Sequence, residues 1–295
     1  MSRYINTLIT GSSGFVGTNF IALSSNFNIQ TVDLLSVNPT DINFEAIDSV
    51  LHLAALVHQM KGAPEQLYFK VNRDLAFEVA KRAKDQGVKQ FVLMSSAKVY
   101  GESTSNGGYW NEESECFPTD PYGKSKLEAE RLIRGLEDDN FKVAIVRSPL
   151  VYGAGVKANM LSLIRLVDRF PLLPLGNIQN KRSIVYIGNL VALLNTIIEQ
   201  QVSGVYIAGD RSPLSTSQMI RFIALAFSKR IFLIKIPIFI MAIIGKIVPS
   251  IVDRLYGSLV LDNSNTNRVL DFTPPYSSEE GLREMVEWYK TRNWK

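Results

Sequence analysis

The sequence predicts an α/β protein: a doubly wound parallel sheet with a smaller, irregular C-terminal lobe. Two observations carry this. Short apolar, β-branched runs alternate with amphipathic helical stretches through the first half, and a Gly-x-x-Gly-x-x-Gly turn follows the first of those runs. After Tyr152-Gly153 the alternation loosens, and prolines at 171, 174, 213, 237, 249, 274 and 275 punctuate shorter elements. The expected division is 1–153 for the sheet domain, with some later segments returning to it, and 154–295 mainly for the lobe.

Ile5-Asn6-Thr7-Leu8-Ile9-Thr10 reads as a buried parallel strand. Gly11-Ser12-Ser13-Gly14-Phe15-Val16-Gly17 follows, with a helix expected over Phe15–Leu23. Glycines at 11 and 14 allow a tight turn and close backbone approach to a pyrophosphate, and Gly17 allows the helix to pack on the sheet. The helix N-terminus offers unpaired N–H groups and a positive dipole end to the phosphates. This is a Rossmann-type dinucleotide turn. Ile29–Val32 is a second strand, and Asp33 ends it about 20 residues beyond the turn, where a carboxylate accepts ribose hydroxyls and repels a 2′-phosphate. NAD is therefore expected over NADP. Asp41-Ile42 is expected to place a carboxylate near the adenine amine. Val50–Ala54, Phe91–Met94 and Val143–Val146 read as further strands, and 75–84 and 124–136 as amphipathic helices.

The bulk properties narrow the class. A chain of 295 residues, 46% hydrophobic and 20% charged, can bury a sizeable core. One cysteine, Cys116, excludes an internal disulfide, and two histidines with one cysteine are too few for an ordinary zinc site. The chain runs directly into its first strand, so no signal peptide is expected and the location is read as cytoplasmic. Nucleic-acid binding is not expected, because no arginine-rich or aromatic-basic repeat is present. Charge is uneven: between Arg221 and Val260 six basic residues face only Asp253, a net +5, while the total is +4. Within this stretch 236–245 carries no charge, half the length of a membrane span. Two readings follow for 231–250: a buried helix under a substrate site, or a basic, apolar surface in peripheral contact with a membrane or a membrane enzyme.

Tyr122 and Lys126 are spaced i, i+4, which puts both on one face of a helix, 26 residues after Ser96 in the strand-end pair Ser95-Ser96. A tyrosine with a reference pKa of about 10 needs help to act as a base near neutrality. A neighbouring ammonium and a positively charged nicotinamide both favour the phenolate, while Ser96 steadies the developing alkoxide.

With these residues in hand, the chain resembles the extended short-chain dehydrogenase/reductases, in the nucleotide-sugar epimerase/dehydratase group (UDP-glucose 4-epimerase-like, O-antigen and capsule branch). The resemblance rests on Gly11–Gly17, His52-Leu53-Ala54-Ala55, Asn72, Ser95–Gly101, Tyr122…Lys126, Arg147–Gly153, 255–259 and Pro274-Pro275…Gly281-Leu282, and runs end to end. It implies that Ser96, Tyr122 and Lys126 are catalytic. It also implies that Lys126 bonds the nicotinamide ribose, that Leu53, Ala54, Ala55 and Pro149 line the cofactor, and that Ser96 and Lys98 face the sugar. Asn159, Arg182 and Arg254 fall near positions that contact the nucleotide diphosphate of a UDP-sugar, an anion suited to arginine. A homodimer is implied through the helix after Asn72 and the helix holding Tyr122.

Two details sort the subfamilies. Dehydratases of the group carry Asp-Glu after the catalytic hydroxyl residue; here Ala97-Lys98 stands there, which disfavours 4,6-dehydration. Segment 56–60, Val156–Asn159 and the overall shortness resemble an epimerase-like branch of O-antigen and capsule pathways, with His58 either near the sugar or structural. The leading expectation is a UDP-sugar 4-epimerase in surface polysaccharide precursor synthesis. The alternative is an NAD(P)H-dependent 4-ketoreductase of a UDP-4-keto-6-deoxy-hexosamine. Microscopic reversibility gives both the same catalytic set. A redox sensor or scaffold on this fold would lack Tyr or Lys, and this chain has both.

Overall fold

The computed structural model describes residues 4–57, 63–105, 107–176, 178–235 and 256–292. Among these, six strands form one sheet in the order β2-β1-β3-β4-β5-β9: β1 (Ile5–Thr10), β2 (Phe27–Val32), β3 (Ser49–His52), β4 (Gln90–Ser96), β5 (Lys142–Ser148) and β9 (Gly204–Ile207). Every pairing in it is parallel. The apolar runs are nearly continuous because both faces are covered. Ile9, Leu51, Val92, Ala144 and Val146 enter one core cluster with Phe20 of α1 (Phe15–Leu23) and Leu190 of α6 (Ile187–Gln200). Their neighbours Leu8, Val50, Phe91, Leu93, Val143 and Ile145 enter the opposite cluster with Val79 of α3 (Ala76–Asp85) and Ile133 of α4 (Pro121–Arg134). Each fully buried Val, Leu, Ile or Phe among these contributes about 1.5–3 kcal/mol over leaving it in water.

Two helices differ from the sequence expectation at their starts. The helix expected from 75 begins at α2 (Glu65–Tyr68), passes through a π-helical stretch (Phe69–Leu75) and continues as α3. The wide turn accompanies Asn72, whose buried amide reaches back to the chain after β3. The helix expected from 124 starts at Pro121, because Asp120 caps it by accepting from Gly123 N at 2.6 Å and proline suits the first helical position.

The lobe is built from α5 (Ala158–Arg169), α7 (Thr216–Ala226), α8 (Ser264–Val269) and α9 (Ser278–Thr291) with two small parallel pairs. β6 (Leu150–Tyr152) pairs with β8 (Ile184–Tyr186), and β7 (Leu172–Leu173) with β10 (Phe232–Leu233). α6 and β9 follow residue 154 in sequence yet lie on the main sheet. Asp210, just past β9, joins these parts. Its Oδ2 accepts from Tyr152 Oη at 2.6 Å and Ser278 Oγ at 2.9 Å, and its Oδ1 from Tyr186 N at 2.9 Å and Asn189 Nδ2 at 2.7 Å.

Candidate active site

The strand register assembles the glycine turn. Thr10 pairs with Val32 on one side and His52 on the other, so Gly11, Asp33 and Leu53 emerge together at the carboxyl end of the sheet. Gly11 has φ +70, and a Cβ there would lie 2.6 Å from Ala54 N. A Cβ on Gly17 would meet Gly11 O at 2.5 Å and Ser12 Cα at 2.7 Å, so its smallness serves the turn itself rather than the expected contact with the sheet. α1 begins at Gly14 with no side-chain cap, which leaves its first N–H groups to a ligand, and Ser13 and Gly14 are exposed. Val16 and Phe15 are half-buried behind them, and a Cβ on Gly155 would stand 3.5 Å from the Phe15 ring. Asp33 is exposed; its Oδ1 accepts from Leu35 N at 3.0 Å, and Oδ2 has no partner among the described residues. An uncapped helix start, a cradle that any Cβ would fill and an outward carboxylate fit the diphosphate and ribose of a dinucleotide.

The hydroxyl chemistry sits one strand further. Ser96 ends β4 and its Oγ accepts from Lys98 N at 3.2 Å. Tyr122 and Lys126 lie in the first two turns of α4. Gly123 allows this approach, because a Cβ there would stand 2.6 Å from Lys98 O. Burial pushes the Tyr122 phenol up to about 12, and a hydrogen bond with Ser96 pulls it back. Burial also brings Lys126 down to about 8, opposed by the charge of Glu130. The ammonium is therefore still the main form at neutrality. The expected support of the phenolate by Lys126 is not among the causes acting on Tyr122 here; Ser96 is the group that lowers it.

Sequence reasoning gave no role to three buried groups behind this cluster. Asn72 donates to Leu56 O at 3.0 Å and Ser125 Oγ at 3.1 Å while accepting from Leu56 N at 2.7 Å, locking the Ala54–Leu56 loop to the turn that carries Lys126. Glu130 accepts from Ser95 Oγ and from Arg147 Nη2 at 2.7 Å, with Arg147 Nη1 also donating to Tyr100 Oη at 2.9 Å. The i, i+4, i+8 spacing of Tyr122, Lys126 and Glu130 was the available signal. His52 is fully buried, with Nδ1 3.0 Å from Thr10 Oγ1.

The other expected residues lie as follows. Ile42 is 4% exposed in the α3–α4 core cluster, so its side chain serves packing; Asp41 beside it is exposed. The Lys98 ammonium is held by Glu102 and by Asp120 at 3.2 Å. Leu53, Ala54 and Ala55 are half-buried beside the turn, and Pro149 is buried between β5 and β6. Asn159 is exposed in the first turn of α5. Arg182 Nη1 donates to Gly257 O at 3.0 Å, and burial lowers its pKa. Arg254, His58 and 236–250 lie outside the described residues.

Sheet, glycine turn and Ser–Tyr–Lys cluster define the class: a dinucleotide-dependent α/β enzyme of the extended short-chain dehydrogenase/reductase type. The profile of the NAD dependent epimerase/dehydratase family matches residues 7–209, and the chain belongs to that family. It is 38% identical to a UDP-glucose 4-epimerase of Vibrio cholerae, over 97% of this chain and 96% of that one. It is 27% identical to the N-acetyl-alpha-D-glucosaminyl-diphospho-ditrans,octacis-undecaprenol 4-epimerase of Escherichia coli O157:H7, over 77% of this chain and 73% of that one. The fold is similar to that of MoeE5 in complex with UDP-glucuronic acid and NAD, with a TM-score of 0.75 at 23% identity, covering 97% of this chain and 99% of that one.

Proposed function

We propose that the chain is an NAD-dependent UDP-sugar 4-epimerase serving surface polysaccharide precursor synthesis. The carrying observation is the placement of Ser96, Tyr122 and Lys126 at the carboxyl end of β4 and the start of α4, with only β3 between β4 and the strand that leads into the glycine turn. The 4-epimerase activities named for the relatives in Vibrio cholerae and Escherichia coli support the reaction, and the undecaprenol-linked sugar of the latter supports the biosynthetic setting.

Bound NAD would supply a reversible hydride acceptor for C4 of the sugar and a positively charged ring that favours the phenolate. Tyr122 accepts the O4 proton and later gives it back. Ser96 donates to the same oxygen as negative charge develops there. Lys126 stays an ammonium below about pH 8 and anchors the ribose side of the pocket. The 4-keto sugar turns over between the two hydride transfers, so no net oxidant is consumed. Gly11, Ser13, Gly14 and the first turn of α1 would hold the diphosphate, and Asp33 the adenosine ribose. A homodimer through the helices that carry Asn72 and Tyr122 belongs to the same reading; Leu67 and Leu132 are 39% and 43% exposed on them.

Proton NMR of UDP-N-acetylglucosamine and UDP-glucose incubated with purified enzyme and no added cofactor tests this. Formation of the galacto epimer is expected. No change, followed by NADH or NADPH consumption with a UDP-4-keto-6-deoxy sugar, would instead make the chain a 4-ketoreductase. Tyr122→Phe should lower turnover by about 10²–10⁴-fold and leave the bound NAD content unchanged.

A further inference from the structure

The lobe carries a row of exposed apolar side chains among the described residues. β7 and β10 pair with Leu172 beside Phe232 and Leu173 beside Leu233. Strand alternation then separates two sets. Leu173 is buried at 3% and Leu233 packs on the core, whereas Leu172, Phe232 and Ile234 are 53%, 64% and 48% exposed. Phe170, 46% exposed at the end of α5, continues this outward row. A row of large apolar side chains is not the ordinary scatter of a monomer surface.

Its borders are basic. Arg169, Arg230 and Lys235 are exposed and have no carboxylate partner among the described residues; Arg169 stands over the Phe170 ring at 5.6 Å. Asp168, next to Arg169 in sequence, is paired with Lys229. These three cations decide the occupant. A second copy docking by the same face would bring like charges together, which disfavours a symmetric contact. An anionic bilayer offers apolar depth to Leu172, Phe232 and Ile234 and phosphate charge to the rim. No helix of the described residues is long and apolar enough to cross a membrane.

We propose that the Phe170–Leu172 and Phe232–Lys235 face docks the enzyme on anionic phospholipid membranes. The face lies at the far end of α5 from the Gly155 loop that abuts Phe15, about 18 Å along the helix, so the two do not share residues. The proposal goes beyond the epimerase reading and is tested by binding alone.

The full chain is sedimented with vesicles of phosphatidylglycerol and phosphatidylcholine in equal parts, and with phosphatidylcholine alone. Binding to the anionic vesicles, weak binding to the neutral ones and release by high salt are expected. Arg169→Glu/Arg230→Glu/Lys235→Glu should weaken binding by on the order of a hundredfold, about fivefold for each cation. Phe232→Asp/Ile234→Asp should abolish it, with circular dichroism and NAD content unchanged as evidence of folding. Absence of wild-type binding overturns the proposal. So does full binding by either variant, which would place the contact elsewhere. Concentration-dependent self-association lost in Phe232→Asp/Ile234→Asp would overturn it in favour of a second copy.

Discussion

His52 is enclosed between β1 and β4, its Nδ1 3.0 Å from Thr10 Oγ1 and its ring stacked on Phe91 at 5.6 Å. Its Nε2 is buried with no partner among the described residues. Burial, then the charge of Lys126, pushes its pKa down to about 3. The unfolded chain keeps a value of about 6.5, so between these values the unfolded state binds more protons. Stability therefore falls as pH drops below about 6.5, with a slope of up to about 1.4 kcal/mol per pH unit from this residue. Urea unfolding across that range should give a flatter profile for His52→Gln; an unchanged slope would show that His52 titrates normally. Lys126 gives a second signature at the opposite end. Its ammonium is lost as pH rises through about 8, and Glu130 is the charge that holds that value up. Glu130→Gln should move the alkaline limb of kcat/KM to lower pH, measured against wild type in the same buffers. The Tyr122–Lys126 pair was legible because i, i+4 spacing is a local property of a helix. The network behind it was not, since Glu130, Arg147, Ser95 and Tyr100 meet only through the strand order.

At the scale of elements, the β1 turn and α1 were readable because the glycine spacing is a local pattern, although the space Gly11 leaves is demanded by Ala54 just past the end of β3. Those demands are unequal, and they rank the substitutions. A Cβ on Gly11 or Gly17 would approach backbone atoms to 2.6 or 2.5 Å, while one on Gly14 would meet Gly11 O at 3.2 Å. Gly11 also needs φ +70, which costs any other residue about 1–2 kcal/mol. Gly11→Ala and Gly17→Ala should each weaken NAD binding by about tenfold or more, corresponding to 1.4 kcal/mol or above, and Gly14→Ala by less. Titration of cofactor-stripped protein by fluorescence checks the order; equal losses at all three would mean that the close contacts are not what matters. The Asp120-Pro121 start of α4 was also written locally, as a cap followed by proline, although the amphipathic pattern alone pointed three residues later. The α2–α3 start was hidden for another reason. Asn72 widens the helix to bond Leu56 and Ser125, and those partners are distant in sequence.

For the whole molecule, the lobe is where sequence reading thins, because its elements are short and it is tied to the sheet by a buried acceptor as well as by a shared apolar core. Asp210 is 6% exposed and receives four donors, from β6, the last residue of β8, α6 and α9. Nothing in the local pattern around residue 210 announces this. Yet it ties the Tyr152–Tyr186 packing and the C-terminal helix to the end of β9, hence to the sheet that presents the glycine turn. Asp210→Ala would leave buried donors without an acceptor, each costing about 1–3 kcal/mol, so a loss of about 3 kcal/mol or more is expected. Asp210→Asn keeps one carbonyl acceptor and should cost less. Tyr152→Phe removes a single donor and should cost about 1 kcal/mol. Urea unfolding followed by far-ultraviolet circular dichroism measures all three. If the lobe and sheet form one cooperative unit, each variant shifts a single transition. If Asp210→Ala instead splits the transition in two, this carboxylate is what makes the sheet and lobe unfold together.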